Sequence, residues 1–254
     1  QFTTNLRAVE FEGGTRSAFT RDGNRLRGSI EGPPSPVRDN NEPMRLPFDL
    51  TLTGDNKATL RLDGSTYELA AGEYTPWIPL TFRGGLGIKV GGVARFMLTE
   101  TDPEVSLYLT PINIDPEKPA LPISHPAYYA TYLAKLLGTF ATLGLAEDTW
   151  ALNERVIDEK AFLDQAYMIC EEREAMYLNA LERTRQGVVA CVFDTSDRVQ
   201  HMFYRYLEPD HPAHRNNPGG GYEKVIEDLY QRMDKIVGKT LSYVDDETMF
   251  FVLS

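Results

Sequence analysis

"VVACVFDTSDRVQHMFYRY" (188–206) is the stretch on which the fold class turns. Six mostly apolar residues run into an acidic turn containing Asp194 and Asp197. His201 follows four residues after Asp197, with Phe203, Tyr204 and Tyr206 directly behind it. A short apolar run bounded by turn residues has the pattern of a buried strand. Polar side chains just past the carboxyl end of a strand are where open parallel sheets hold their ligands. The same residues also describe an ordinary buried strand with a polar exit loop, so the surrounding pattern has to decide.

Downstream, "YEKVIEDLYQRMDKIVGKTLSYV" (222–244) has helical spacing and "TMFFVLS" (248–254) is again strand-like. Strand, crossover helix and strand form a βαβ unit, which predicts parallel pairing of 188–193 with 248–253 in an α/β layer. Upstream, "IDEKAFLDQAYMICEEREAMYLNALERT" (157–184) places Phe162, Ala166, Ile169, Tyr177 and Leu181 near one stripe, opposite a charged face. Asp158 is its expected cap. "HPAYYATYLAKLLGTFATLG" (125–144) predicts a further helix, with His125 before Pro126 at its start and Gly144 at its end.

Before residue 112 the period changes from helical to two. "RLRGSIEG", "FDLTLTG", "KATLRLDGSTYELAAG", "WIPLTFRGG", "LGIKVGGVARFMLTE" and "VSLYLTPINI" alternate apolar and polar residues between Gly-, Pro- and Asp-rich turns. Asp63-Gly64 signals a tight hairpin. The glycine-rich "RGGLGIKVGG" (83–92) lies between strands and lacks the Lys-Ser/Thr and helix of a phosphate-binding loop, so it also predicts a hairpin. "EGPPSPVRDNNEP" (31–43) reads as a mobile polar loop. The fold expected is α+β overall. An all-β sandwich or barrel over 1–112 precedes a partial α/β layer over 113–254.

The 254-residue chain carries a formal net charge of −11. Such a chain repels phosphate backbones, so no nucleic-acid polymer is expected as a partner. A small phosphorylated substrate stays open, because a metal ion reverses the field locally. No apolar run is long enough to span a bilayer, and no signal segment opens the chain. Cys170 and Cys191 have apolar neighbours and read as buried thiols, compatible with a reducing, cytoplasmic compartment.

If the chain turns helical from Ser196, Asp197 and His201 share one face a turn apart. A carboxylate and an imidazole so placed suit one divalent cation, typically zinc. By itself D-x-x-x-H is common, and a capping Asp with a surface His is its ordinary meaning. His211 and His214 in "DHPAHRNNPGGG" are further ligand candidates, or simply solvated loop residues.

In context, these residues resemble the alkaline phosphatase superfamily, in its type I phosphodiesterase/nucleotide pyrophosphatase branch. "FDTSDRVQHMFYRYLEPDHP" resembles the segment whose Asp and His bind one metal of a two-metal centre. "YQRMDKIVGKTL" resembles the next helix, with Asp234 and Gly238 in D-x-x-x-G spacing, and "TMFFVLS" resembles the strand leading into Asp-His-Gly. "LYLTPINIDPEKPALPISHPAYYATYLAKLLGTFATLG" fits the return from an inserted β region into the hydrolase fold. The resemblance implies an alkaline-phosphatase-like α/β/α layer and a nucleotide-pyrophosphatase-like phosphodiesterase or phosphohydrolase. It also implies two divalent metal ions, zinc above all, with Asp197 and His201 as metal ligands.

The sequence departs from that pattern in two ways. Gln200 stands where many relatives have Gly before the His. The family's first metal-binding Asp and its Thr or Ser nucleophile have no match in this chain, so the expectation is an internal section of a longer enzyme, inactive by itself. The alternative from another class is a binding or scaffold module whose β region recognises a glycan, lipid or protein, with Asp197 and His201 merely structural.

Overall fold

The structure, a computed structural model, describes residues 1–3, 17–35, 37, 42–213 and 220–253. The chain separates into two compact units, Gln1–Phe162 and Leu163–Ser254. The fold is mixed, with an antiparallel β region first and helices after it.

Eleven strands are described in the first unit: β1 (Phe2–Thr3), β2 (Ser17–Ala18), β3 (Thr20–Asp22), β4 (Arg25–Pro34), β5 (Pro43–Gly54), β6 (Lys57–Leu62), β7 (Ser65–Ala70), β8 (Ile78–Gly85), β9 (Ile88–Ala94), β10 (Phe96–Glu100) and β11 (Ser106–Leu109). They form a five-stranded meander β3-β4-β5-β6-β7, a four-stranded sheet β10-β11-β1-β2 and the hairpin β8-β9. All pairings are antiparallel except the two-residue contact of β1 with β2.

Alternation does the folding work here. Leu26, Leu50 and Leu60 fall opposite one another on β4, β5 and β6 and have no exposed surface. Burying each such side chain contributes about 1.5–3 kcal/mol, and a one-residue slip of register would expose the whole set. Apolar residues from all three sheets join in one core cluster, including Phe2, Ile78, Phe82, Phe96 and Leu107.

Both expected hairpins form. Asp63 and Gly64 have φ of 48° and 84°, the positive pair of a type I′ turn. Leu86 and Gly87, at 46° and 80°, turn β8 into β9, so the glycine-rich stretch cradles no phosphate. Much of the loop expected over 31–43 is strand instead: Glu31–Pro34 extends β4, and Pro34 pairs with Pro43. Only Arg25, Leu26 and Arg27 of β4 pair with β3, so among the described residues its prolines lie along an edge that no strand pairs, where a missing N–H costs little. Pro36 and residues 38–41 lie outside the described residues.

Helix α1 (Tyr128–Leu137) stops at Gly138 rather than Gly144. Gly138 takes φ 98° and its N–H still bonds Ala134 O at 3.0 Å, the kind of stop for which glycine is suited. Asn113 then organises the following loop. Its side-chain oxygen accepts from the N–H groups of Thr142 (2.7 Å) and Leu143 (3.1 Å), and its Nδ2 donates to Pro111 O (2.9 Å). Asp148 caps the short α2 (Thr149–Asn153) and accepts a 2.7 Å bond from the Tyr108 hydroxyl. Asp158 caps α3 (Glu159–Arg183) as expected, through a 2.8 Å bond from Ala161 N–H.

The second unit holds most of α3, then α4 (Thr195–Phe203), a 3-10 turn at Tyr204–Tyr206 and α5 (Val225–Leu241). The expected parallel βαβ pairing is absent. Neither 188–193 nor 248–253 belongs to a sheet, and every described strand lies within residues 2–109. The physical reason is partnership: a strand exists only where a second backbone takes up its N–H and C=O groups. Neither segment meets one, and Val188 and Leu253 are left 91% and 89% exposed. Among the described residues, no helix is long and apolar enough to cross a membrane.

Two glycines let the sheets close over aromatic rings. A Cβ on Gly28 would overlap the Phe48 ring, and one on Gly32 the Phe82 ring. Phe82 is fully buried and has nowhere to retreat. Gly32→Ala is therefore expected to lower the free energy of unfolding by about 1–3 kcal/mol. Urea unfolding should show an earlier midpoint at an unchanged slope.

Candidate functional site

The site expected from the sequence is built on α4. Thr195, Val199 and Phe203 recur at four-residue spacing and are buried, so one face of the helix is committed to packing. Phe203 closes an aromatic cluster with Tyr206 and Tyr222, at centroid distances of 5.6 Å to each. Asp197 and His201 occupy the outward face, in the first and last turns. The helix dipole favours an anion at the first position and a cation at the second.

His201 Nε2 lies 3.2 Å from Asp197 Oδ1. Two donors on one tetrahedral zinc ion, each at about 2.0–2.2 Å, stand about 3.3 Å apart, a separation close to that of this pair. Both side chains are more than half exposed, which leaves the outer side open to an ion. Arg198 approaches Asp197 Oδ2 at 3.7 Å and competes for its charge.

The other candidates are placed elsewhere. Asp194 is paired with Arg173 of α3, which takes it out of the donor set. His211 Nδ1 accepts a 3.2 Å bond from Ala213 N–H, and its ring meets Tyr204 edge-on, so it braces its own turn. His214 lies outside the described residues. Asp234 is exposed on α5, and Gly238 has open space beside it. Among the described residues, no group of three or more His, Cys, Asp or Glu side chains is gathered as a metal would require. Cys170 is fully buried, as expected, whereas Cys191 sits half-buried in the extended segment. Burial pushes both thiols above the ordinary range.

Gln200 acquires a clear use. Its Nε2 donates to Ser196 O at 3.0 Å, and its Oε1 accepts from the Tyr230 hydroxyl of α5 at 3.1 Å. A glycine at 200 could make neither bond. On its other side α5 is tied to α3 by Lys239–Glu174 (2.5 Å), Arg232–Glu171 (3.4 Å) and the Tyr177–Thr240 hydroxyl pair (3.0 Å). These bonds hold the platform on which the Asp197–His201 pair stands.

The sequence reading passed over a second constellation, in the first unit. Arg25, Arg27, Asp49 and Arg61 lie on the outward face of β4, β5 and β6. Its signal was present in the alternation of "RLRG" and "RLD", which commits the leucines inward and the charges outward. The chain matches no family model, no curated protein and no solved structure.

Because Asp197 and His201 support no packing, Asp197→Ala and His201→Ala are expected to change unfolding free energy by no more than about 0.5 kcal/mol. Gln200→Gly should cost more, about 1–2 kcal/mol, from helix propensity and the lost bonds to Ser196 and Tyr230. Urea titration of the three variants separates these cases.

Proposed function

We propose that the chain is part of a metal-dependent phosphodiesterase or phosphohydrolase, nucleotide-pyrophosphatase-like, acting on a small phosphorylated substrate. The observation that carries this reading is the Asp197–His201 pair, 3.2 Å apart and open to solvent on a helix that follows an apolar extended segment. In the whole enzyme, 188–193 and 248–253 serve as parallel strands of an α/β layer, which supplies the backbone partners both segments lack here. The exposed apolar side chains along both segments support that role, since surfaces of this kind are normally covered.

Asp197 and His201 would hold one of two zinc ions, Asp197 ionised and His201 neutral, because metal ligands must be deprotonated. Bound there, the metal centre supplies Lewis-acid polarisation of a phosphoryl oxygen and activation of the attacking hydroxyl. Arg198, 3.7 Å from Asp197 Oδ2, would place a positive charge beside the metal site. In the family that the sequence resembles, the nucleophile and remaining ligands come from segments with no match in residues 1–254. A catalytic zinc site normally uses three protein ligands, so two leave the ion incompletely held.

The decisive experiment uses the longest natural form of the protein, assayed for bound zinc and for turnover of a phosphodiester and a phosphomonoester. Asp197→Ala and His201→Ala should each lower zinc content and turnover together, the latter by about 100-fold or more. The chain 1–254 alone should hold zinc weakly and hydrolyse neither ester. Full activity in either variant, or zinc-dependent hydrolysis by 1–254 alone, overturns the reading.

A further inference from the structure

We propose that the outward face of the β4-β5-β6 sheet binds a tetrahedral oxyanion, the phosphoryl or sulfuryl group of a small ligand, through Arg27 and Arg61. This inference rests on the first unit alone and stands or falls independently of the Asp197–His201 site.

The strand register sets the arrangement. Arg27, Asp49 and Arg61 are direct cross-strand partners, so one carboxylate sits between two guanidinium groups in a single row across the sheet. Strands are about 4.7–4.9 Å apart, which puts the two arginine backbones about 10 Å apart, within easy convergence of two long side chains. Asp49 is already spoken for. Arg25 reaches it from the neighbouring row with two parallel bonds of 3.0 Å, Nε to Oδ1 and NH2 to Oδ2. That hydrogen-bonded guanidinium holds Asp49 below the usual carboxylate range. Arg27 keeps only a looser 3.4 Å contact through Nε, which leaves its terminal nitrogens available. The Arg61 guanidinium has no hydrogen-bond or ion-pair partner among the described residues.

These groups line a depression of about 500 Å³, walled by Pro47 and Asp63. Asp63 is neutralised by Arg83 at 2.9 Å, so it adds no net negative charge. Among the described residues, Arg25, Arg27, Arg61 and Arg83 stand against Asp49, Asp63 and, beside Arg25 on the next strand, Asp22, which leaves one positive charge in and beside the depression on a chain whose net charge is −11. Among the described residues, the other nearby acids do not line it. Asp22 and Glu68 lie on the outer strands in the adjacent row, where Glu68 accepts from Thr59, and Glu31 is paired with Arg45 at 2.7 Å. An ordinary cross-strand charge ladder pairs each cation with an anion; this row has a surplus of cations instead.

The geometry selects the ligand class. Two open guanidinium forks present more donors than one planar carboxylate can accept, whereas a phosphoryl or sulfuryl group offers three oxygens in a tetrahedral array. A nucleic-acid strand would need a continuing track of cations, which two open guanidinium groups do not provide.

The test is a nuclear magnetic resonance titration of the full chain with inorganic phosphate, sulfate and acetate, each at constant ionic strength made up with chloride. Phosphate or sulfate should give saturable shifts centred on residues 27, 49 and 61, and acetate should bind at least about ten-fold more weakly. The phosphate and sulfate arms separate the two ligand sources. Arg61→Gln removes no bond present in the fold, so its expected ten-fold or greater loss of affinity cannot be blamed on unfolding. Asp49→Asn should strengthen binding several-fold by freeing Arg25 and Arg27, and Arg45→Gln should leave it unchanged. Shifts that never saturate, that chloride or acetate reproduces equally, or that survive Arg61→Gln overturn the proposal. So does tighter binding of a nucleic-acid oligomer through the same residues.

Discussion

Leu26, Leu50 and Leu60, directly opposite one another on three adjacent strands and shut off from water, set the register on which the first unit depends. The side-chain period of a strand is two, so this one choice of inward residues also chooses the outward ones. Arg27, Asp49 and Arg61 are aligned because the neighbouring leucines are aligned. Gly28 and Gly32 belong to the same constraint. They give up their side chains so that Phe48 and Phe82 can fill the core against β4. A charged row and a closely packed core are thus two faces of one hydrophobic decision.

The second unit is held differently. Its described residues include no sheet, and its helices are joined by an apolar stripe on α5 together with charged and hydroxyl bonds to α3 and the Gln200–Tyr230 bond to α4. Exposed ion pairs contribute little individually, so packing around Leu229, Val199 and Phe203 carries most of the stability. Asp197 and His201 contribute nothing to that packing.

The two constellations ask different things of their surroundings. The arginine row is complete within its own sheet, since register alone brings its members together. The Asp197–His201 pair brings only two polar side chains together, on one exposed helix face. Two exposed apolar segments, 188–193 and 249–253, lie in the same unit as that pair, with backbone groups that no strand takes up. The first runs directly into the turn before α4.

Local pattern was enough to read the β character of residues 25–109, both tight hairpins, the Asp158 cap and the one-turn spacing of Asp197 and His201. Each depends on interactions within a few residues or on a strict period, and these are written in the chain itself. Pattern was not enough for 188–193 and 248–253. Their apolar composition satisfies strand propensity, but a strand is completed by a partner that composition does not name. The end of α1 at Gly138, the Asn113 bonds to the loop at 142 and 143, and the bridge from Gln200 to Tyr230 were likewise invisible, because each joins groups that sequence spacing does not relate. The arginine row lies between these cases. Alternation placed every member outward, while only the pairing of β4 with β5 and of β5 with β6 put Arg27, Asp49 and Arg61 side by side. Sequence by itself settled which way side chains face, since that follows from backbone period. Tertiary structure alone decided which of them meet, since that follows from the long-range burial that fixes register.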